Sequence, residues 1–309
     1  MLAMGAAVSA ILGLLIRLTV RDEWRGVDVL FYVLQLPVVG LLLLLASAAW
    51  LGSGRRASAL VSFVLSTAIF LSWVVFGRLE HSCGDRRADF RAVQWNLEYG
   101  RAGWDSIAAA LREEDADVIG LVEAQVRGPN PVRFWRPRFP EYDVQAPGEG
   151  LVLMVRGEIE TVRRENFGVR SRLAIAEVKV GGRPLRVILV DLEANWFSSR
   201  GPLIERVRAA ALTSDRRPVL ILGDFNTPGD SVWFRKLRRD YGEAFEAAGE
   251  GMPGTWPFFL HLMALDHLWV SRGLHAVCAE KRMSWLSDHS RIRAEVSFSK
   301  APELPASGD

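Results

Sequence analysis

The sequence predicts an α/β fold in which two β-sheets pack face to face with helices outside, preceded by two or three transmembrane helices. Three observations carry this expectation. Residues 1–16, 29–54 and 57–77 contain no charged side chain. Beyond about residue 78, many short apolar runs alternate with only two or three helical stretches. The charges are also divided: residues 1–77 hold five Arg and three acids, out of 38 basic and 36 acidic residues in the chain. The remainder is therefore balanced, and the net charge of +2 belongs to the N-terminal part. That balance gives no support for a domain that grips nucleic acid by charge alone. Two cysteines in 309 residues argue against a disulfide scaffold.

A helix needs about 20 apolar residues to cross the hydrocarbon core, so residues 29–54 and 57–77 each suffice. Residues 1–20 are a third candidate in which Arg17 must snorkel toward the headgroups, and they lack the basic start of a cleavable signal peptide. A buried soluble hairpin is the alternative. Residues 1–77 are thus expected to form a membrane anchor, 88–299 one globular domain, and 300–309 a polar tail. A channel or transporter is disfavoured, because the spans carry few polar residues and most of the chain is soluble in character.

Within the soluble part, Phe90 to Leu97 reads as a strand. A helix follows from Trp104 to Glu114, with Asp105 as its N-cap candidate. Val118–Val122 and Leu151–Val155 are apolar strands, separated by a stretch rich in Pro and Gly. Ala174–Val180 and Leu185–Val190 form a hairpin through Gly181-Gly182. Leu203 to Leu212 is helical, and Val219–Leu222 is a strand ending in Gly223-Asp224-Phe225-Asn226. A short helix covers Val232 to Arg239, and late strands fit His267–Val270 and Ile292–Ser297.

Acids and amides recur where these strands end: Asn96 and Glu98, Glu123, Asp224 and Asn226, then Asp266-His267 and Asp288-His289. Oxygen ligands at one open rim suit a hard cation that pairs with a substrate phosphate. Each feature alone reads as well as a turn or cap; the ordered set does not.

Trp95-Asn96, Asp117 to Glu123, Gly223-Asp224-Phe225-Asn226, Leu265-Asp266-His267 and Ser287-Asp288-His289 resemble, in order, the endonuclease/exonuclease/phosphatase (DNase I-like) superfamily, over roughly residues 88–299. The nearest likeness is to its membrane-anchored bacterial branch. The resemblance implies a four-layer α/β sandwich and Mg²⁺- or Mn²⁺-dependent cleavage of a phosphate ester, in nucleic acid or a lipid headgroup, with no obligate protein partner evident. It implies that Glu123 is the main metal ligand, helped by Asn96 and Asp288. It also implies that Asp224 orients or deprotonates the attacking water, Asn226 binds a phosphate oxygen, and Asp266 pairs with His289. Glu98 is either an extra ligand or a solvated strand-end acid.

One position departs from the family pattern. A second histidine is expected after Val187-Ile188-Leu189-Val190, and Leu192 or Glu193 stands there instead. Arg200, Arg170 or Arg172 could supply the missing positive charge, the substrate could differ, or the enzyme could be slow or inactive; a working phosphoesterase with an altered substrate is favoured. The Thr255-Trp256-Pro257 loop fits beside the site or in packing. The basic-aromatic run Arg133 to Phe139 fits a binding surface or a solvated loop with its rings tucked inward. Charge counting alone places the catalytic domain in the cytoplasm. The resemblance places it outside a multi-pass cell-membrane protein, with Arg55-Arg56 within, and this second arrangement is preferred. A Cys83–Cys278 disulfide is then available, two free thiols being the alternative.

Overall fold

Period-two alternation builds two sheets whose apolar faces meet. The computed structural model describes residues 1–299 apart from 82, 84–86, 127–129 and 213–216, so the expected tail at 300–309 lies outside the described residues. The first sheet has the order β13-β14-β2-β3-β5-β4. Its strands are β2 (Phe90–Asn96), β3 (Val118–Val122), β4 (Asp143–Gly148), β5 (Leu151–Val155), β13 (Leu274–Arg282) and β14 (Arg291–Phe298). The second has the order β10-β12-β9-β8-β7-β6. It comprises β6 (Gly157–Phe167), β7 (Ser171–Val180), β8 (Arg183–Asp191), β9 (Val219–Asp224), β10 (Tyr241–Glu243) and β12 (Asp266–Ser271). A small pair, β1 (Leu79–Glu80) with β11 (Glu250–Gly251), lies apart.

The alternation can be read residue by residue. Ala92, Val118, Val122, Leu189, Leu220 and Leu222 fill the space between the sheets. Val93, Trp95, Ile119 and Leu121 face the other way, onto α5 (Trp104–Arg112) and the aromatic segment that includes α6 (Pro131–Trp135). Ile188, Val190 and Ile221 cover α7 (Arg200–Ala211). The result is the expected helix–sheet–sheet–helix sandwich. Short helices α8 (Leu237–Asp240) and α9 (Ala244–Ala248) close one edge. Gly181 and Gly182, at φ 55° and 76°, make the two-residue turn between β7 and β8, as a right-twisted hairpin requires. The helix expected at Trp104 is capped by Gly103 rather than Asp105, which instead pairs with Arg138 at 2.6 Å.

Before this domain stand α1 (Leu2–Leu18), α2 (Asp28–Val33), α3 (Leu36–Gly52) and α4 (Arg56–Gly77). Only α4 is, among the described residues, long and apolar enough on its own to cross a membrane; α1 and α3 have 17 residues each. The uncharged stretch 29–54 is not one helix as expected. It breaks at Leu34-Gln35, where Gln35 is extended and Pro37 opens α3. Polar contacts join the helices, with Ser66 Oγ donating to Gly40 O at 2.7 Å and Ser47 Oγ to Ala59 O at 2.7 Å.

The N-terminal segment is also joined to the sandwich. Cys83 and Cys278 form a disulfide. Asp22, buried, accepts hydrogen bonds from Ser231 Oγ at 2.5 Å and Val232 N at 3.0 Å, and Trp233 Nε1 donates to its backbone oxygen at 3.1 Å. Arg17 pairs with Asp230 at 3.3 Å.

Two outcomes follow from this packing. A methyl group on Gly120 would meet Leu222 Cδ1 at 2.6 Å and Leu189 Cδ1 at 2.9 Å between the sheets. Gly120→Ala should therefore cost about 1–3 kcal/mol in a denaturant titration, as overpacking does. Cys278→Ser opens a loop of 195 residues and should cost about 2–4 kcal/mol, with wild type matching it once reduced.

Candidate active site

The inner faces of the central strands turn from apolar to polar at one end of the sandwich. On β8 the sequence Leu185, Val187, Leu189 continues to Asp191; on β9 Leu220 and Leu222 continue to Asp224; on β12 Val270 and Leu268 lead back to Asp266. Register places these acids side by side, with Asp266 opposite Asp224, Asp224 opposite Asp191, and Asp191 opposite Arg172 of β7. Three buried carboxylates thus occupy adjacent strands in one row that ends in an arginine.

The facing sheet answers this row. Ala92 on β2 is followed, on the same inner face, by Gln94 and Asn96. Gln94 Nε2 donates to Asp266 Oδ1 at 3.0 Å, and Asn96 Nδ2 to Asp224 Oδ2 at 2.9 Å. His289 Nδ1 lies 2.7 Å from Asp266 Oδ2, and its Nε2 is 3.9 Å from Asp224 Oδ2. Burial works against the imidazolium, but Asp266 and Asp224 outweigh it and raise His289 to about 10. The two carboxylates thus favour the imidazolium, with Nδ1 against Asp266 and Nε2 on the side of Asp224. Burial, then Asp266, pushes Asp224 up. Asn226 N holds its other oxygen at 2.8 Å.

Around this group the loops form a cavity of about 210 Å³. Its walls include Asn96, Glu98, Glu123, Asp224, Asn226, Asp288 and His289. Glu123 follows β3 at φ 51°, a left-handed turn that aims it back over the strand ends. Gly150, at φ 81°, sits against it: a Cβ there would lie 3.2 Å from Glu123 Cα, and Gly150 O accepts from Ala124 N at 2.8 Å. Burial and then Asp191 push Glu123 up to about 7, against a hydrogen bond from Asn96. Burial likewise raises Asp191 to about 7, while Arg172 opposes the shift at 2.6 Å. Trp256 Nε1 donates to Asp288 Oδ2 at 3.0 Å, so the Thr255-Trp256-Pro257 loop does stand beside the cavity.

Every expected site residue converges here: Asn96, Glu123, Asp224, Asn226 and Asp288 line the cavity with His289, and Asp266 backs the histidine. Glu98 also lines it, but from a 3-10 turn at φ 46° rather than along β2, and it accepts from Asp288 N at 3.2 Å. Neither Leu192 nor Glu193 takes the expected histidine's place. Leu192 is buried in the α7 core, and Glu193 turns away to accept from Val169 N and Arg170 N at 3.2 and 3.1 Å. The residue that meets the site is Asp191, which follows Leu189 on the inner face and pairs in register with Asp224. Arg172 is spent on Asp191 rather than free for phosphate. Arg200 is buried, its Nε donating to Asn226 O at 3.1 Å. Tyr32 of α2 also lines the cavity, and nothing in its sequence surroundings signals that. The Arg133–Phe139 cluster packs inward: Trp135 and Phe139 are buried beside α5 and its neighbours, as the bland reading had it.

Comparison with known proteins agrees with this fold. The profile of the endonuclease/exonuclease/phosphatase family matches residues 93–289. No curated protein is similar enough in sequence to match. Among solved structures, a family protein from Bacteroides thetaiotaomicron aligns over 68% of this chain and 98% of its own, at 15% identity and TM-score 0.58. Truncated TDP2 from Caenorhabditis elegans aligns over 68% and 97%, at 18% identity and TM-score 0.56. A mannosyl-6-phosphatase from Bacteroides thetaiotaomicron aligns over 68% and 100%, at 14% identity and TM-score 0.53. At these identities they share the fold.

The row makes one pairing testable apart from catalysis. Arg172→Met leaves Asp191 buried without its partner and should cost about 3–5 kcal/mol of stability. Adding Asp191→Asn should recover most of that loss in the same urea titration.

Proposed function

This chain belongs to the endonuclease/exonuclease/phosphatase family, and from that membership we propose a divalent-metal-dependent phosphodiesterase held at a membrane by its N-terminal helices. The family itself supports a hydrolase of phosphoesters. The observation that carries the finer reading is the convergence of Asn96, Glu123, Asp224, Asn226, Asp288 and His289 on one cavity. The oxygens of Glu123, Asn96 and Asp288 suit a hard cation, and carboxylates pushed up by burial and by one another are those a cation would relieve. Asp224, Asp266 and His289 also bring their donor atoms within 4.8 Å of one another, but the Asp266–His289 hydrogen bond already occupies Nδ1. Glu123 with Asn96 and Asp288 is therefore the preferred holder. Mg²⁺ or Mn²⁺ there would neutralise the phosphate and favour in-line displacement.

The protein's own groups divide the remaining work. Asp224, fixed by Asn96 and Asn226 N, accepts a proton from the attacking water. The His289 imidazolium offers Nε2–H to a phosphate oxygen, a positive charge that compensates for the missing second histidine. Asp266 holds that ring in one tautomer, and Gln94 holds Asp266. The Asn226 side chain donates to Leu192 O at 2.8 Å, which leaves its second N–H for phosphate.

For the anchor, α4 with the 17-residue helices α1 and α3 supports a membrane hairpin. The segment after α1 and the end of α4 both reach the catalytic domain, so the Arg55-Arg56 turn lies at the opposite end. Charge counting opposes an outer domain, since Arg17, Arg21, Arg25 and Arg78 at the domain end outnumber Arg55 and Arg56, so the outer arrangement rests on the family resemblance. The disulfide favours the same oxidising side. The domain division at residues 1–77 and 88–299 follows the same reading.

The full-length protein should hydrolyse a bis-aryl phosphodiester with Mg²⁺ or Mn²⁺ and lose that activity with a chelator. Glu123→Ala and Asp224→Ala should each cost at least about 10²-fold in kcat, and unchanged metal-dependent rates in both would refute the assignment. No activity on nucleic acid, phospholipid or phosphomonoester panels would favour a binding module built on the same fold.

A further inference from the structure

The candidate catalytic cavity has one wall that the sandwich does not supply. Tyr32 of α2 lines it together with Pro228, Trp256 and Met263. Both the backbone and the ring of Tyr32 are fixed. Gln35 Nε2 donates to Tyr32 O at 3.2 Å, and Arg17 Nη2 donates to Gln35 Oε1 at 2.6 Å. The phenol donates to Asp22 Oδ2 at 3.3 Å, and the same oxygen accepts from Ser231 Oγ at 2.5 Å. Ser231 N in turn donates to Pro228 O at 2.9 Å. One buried carboxylate therefore ties together two walls of the cavity, Tyr32 and the turn that carries Pro228. The Arg200 guanidinium lies over the Tyr32 ring, 6.0 Å from its centroid, while its Nε donates to Asn226 O at 3.1 Å. The Arg200 Nη atoms are buried with no hydrogen-bond partner among the described residues, which leaves the ring face to offset part of their charge.

Tyr32 is only 3% exposed, so it bounds the cavity as a fixed wall with no free volume in which to swing. The space left is about 210 Å³, below the range of about 300–1,000 Å³ usual for sites that enclose a drug-sized ligand. On the phosphoester reading, the polar side with Glu123, Asp224 and His289 takes the phosphate. The groups esterified to it share what remains, and Tyr32 is one boundary of that remainder. Resting on the phosphodiesterase reading and independent of the membrane one, we propose that Tyr32 is a specificity-determining residue. It limits the size of the group that enters the cavity with the phosphate, and Asp22 is the residue that positions it. The N-terminal helices thereby take part in substrate selection. The substrate class that follows is a phosphodiester with at least one small alcohol component, in preference to one bulky on both sides of phosphorus. Such a wall acts by excluding atoms and takes no part in bond making, so its removal changes selectivity more than chemistry.

The test compares two diesters on the full-length protein in detergent with Mg²⁺ or Mn²⁺: bis(p-nitrophenyl) phosphate and methyl p-nitrophenyl phosphate. In both, the water oxygen bonds to phosphorus, and p-nitrophenolate leaves with the electron pair of its phosphorus–oxygen bond. Only the group that stays on phosphorus differs in size. The readout is the ratio of kcat/KM for the bulky diester to that for the small one, taken within each variant, so a partly misfolded sample does not imitate the result. Tyr32→Ala should raise that ratio about tenfold over wild type, and Tyr32→Val should raise it by less. Tyr32→Phe keeps the ring and should keep the wild-type ratio. Asp22→Ala, which frees the phenol, should move the ratio in the same direction as Tyr32→Ala. An equal fall on both diesters, with the ratio unchanged in Tyr32→Ala, is what a merely structural role gives and would overturn the proposal. So would a Tyr32→Phe ratio equal to that of Tyr32→Ala, or inactivity of both Tyr32→Ala and Tyr32→Val on both diesters, since a wall that sets size does not perform the chemistry. Inactivity of the wild-type protein toward both diesters would overturn it together with the phosphodiesterase reading.

Discussion

The structure is organised around three aspartates forced side by side. Asp191, Asp224 and Asp266 end neighbouring strands in one row, buried beneath a second sheet. Like charges directly opposite one another on a sheet are unfavourable, and burial deepens the cost. Much of the surrounding sequence follows from relieving it. Arg172 closes one end of the row and His289 spans two of its members. Gln94 and Asn96 reach across from the facing sheet. These are the groups a phosphoester reaction needs, so stability is given up locally where chemistry gains.

The same relief explains why β2 is the central strand of the site. Its inner face carries Ala92 into the core and then two amides into the acids, so one strand both packs the sandwich and ties its sheets together at the rim. Gly120 on the adjacent β3 serves the same approach from below, by letting Leu189 and Leu222 close the gap.

How much of this was legible in sequence depended on where a strand lies in its sheet. The eight interior strands of the two large sheets were all expected, because burial on both faces gives apolar runs. The four that were missed, β4, β6, β10 and β13, are the four edges. Edge strands carry charge to discourage pairing with other chains, and the long β6, with Glu160, Arg163 and Arg164, reads as a loop. At the site, the candidate acids stood out because each ends an apolar strand. Asp191 was less legible: alternation from Val187 and Leu189 puts both Asp191 and Glu193 on the inner face, and only the structure shows that β8 ends at Asp191 and that Glu193 turns away to Val169 and Arg170. Arg172 was considered as a phosphate ligand; only the β7–β8 register showed that it is committed to Asp191. Tyr32 had no signal at all, since its place at the cavity depends on segments about 200 residues apart brought together by Asp22.

The double attachment of the N-terminal helices has a consequence for the cavity. A domain on a single flexible stalk tumbles and samples the water around it. Here Asp22 grips the loop beside the site while the Cys83–Cys278 bridge fastens the stalk to the opposite sheet. Held at two points, the cavity keeps one orientation relative to the N-terminal helices. A movement of the N-terminal helices is thereby passed to the rim of the cavity through the loop that carries Pro228, Asp230 and Ser231.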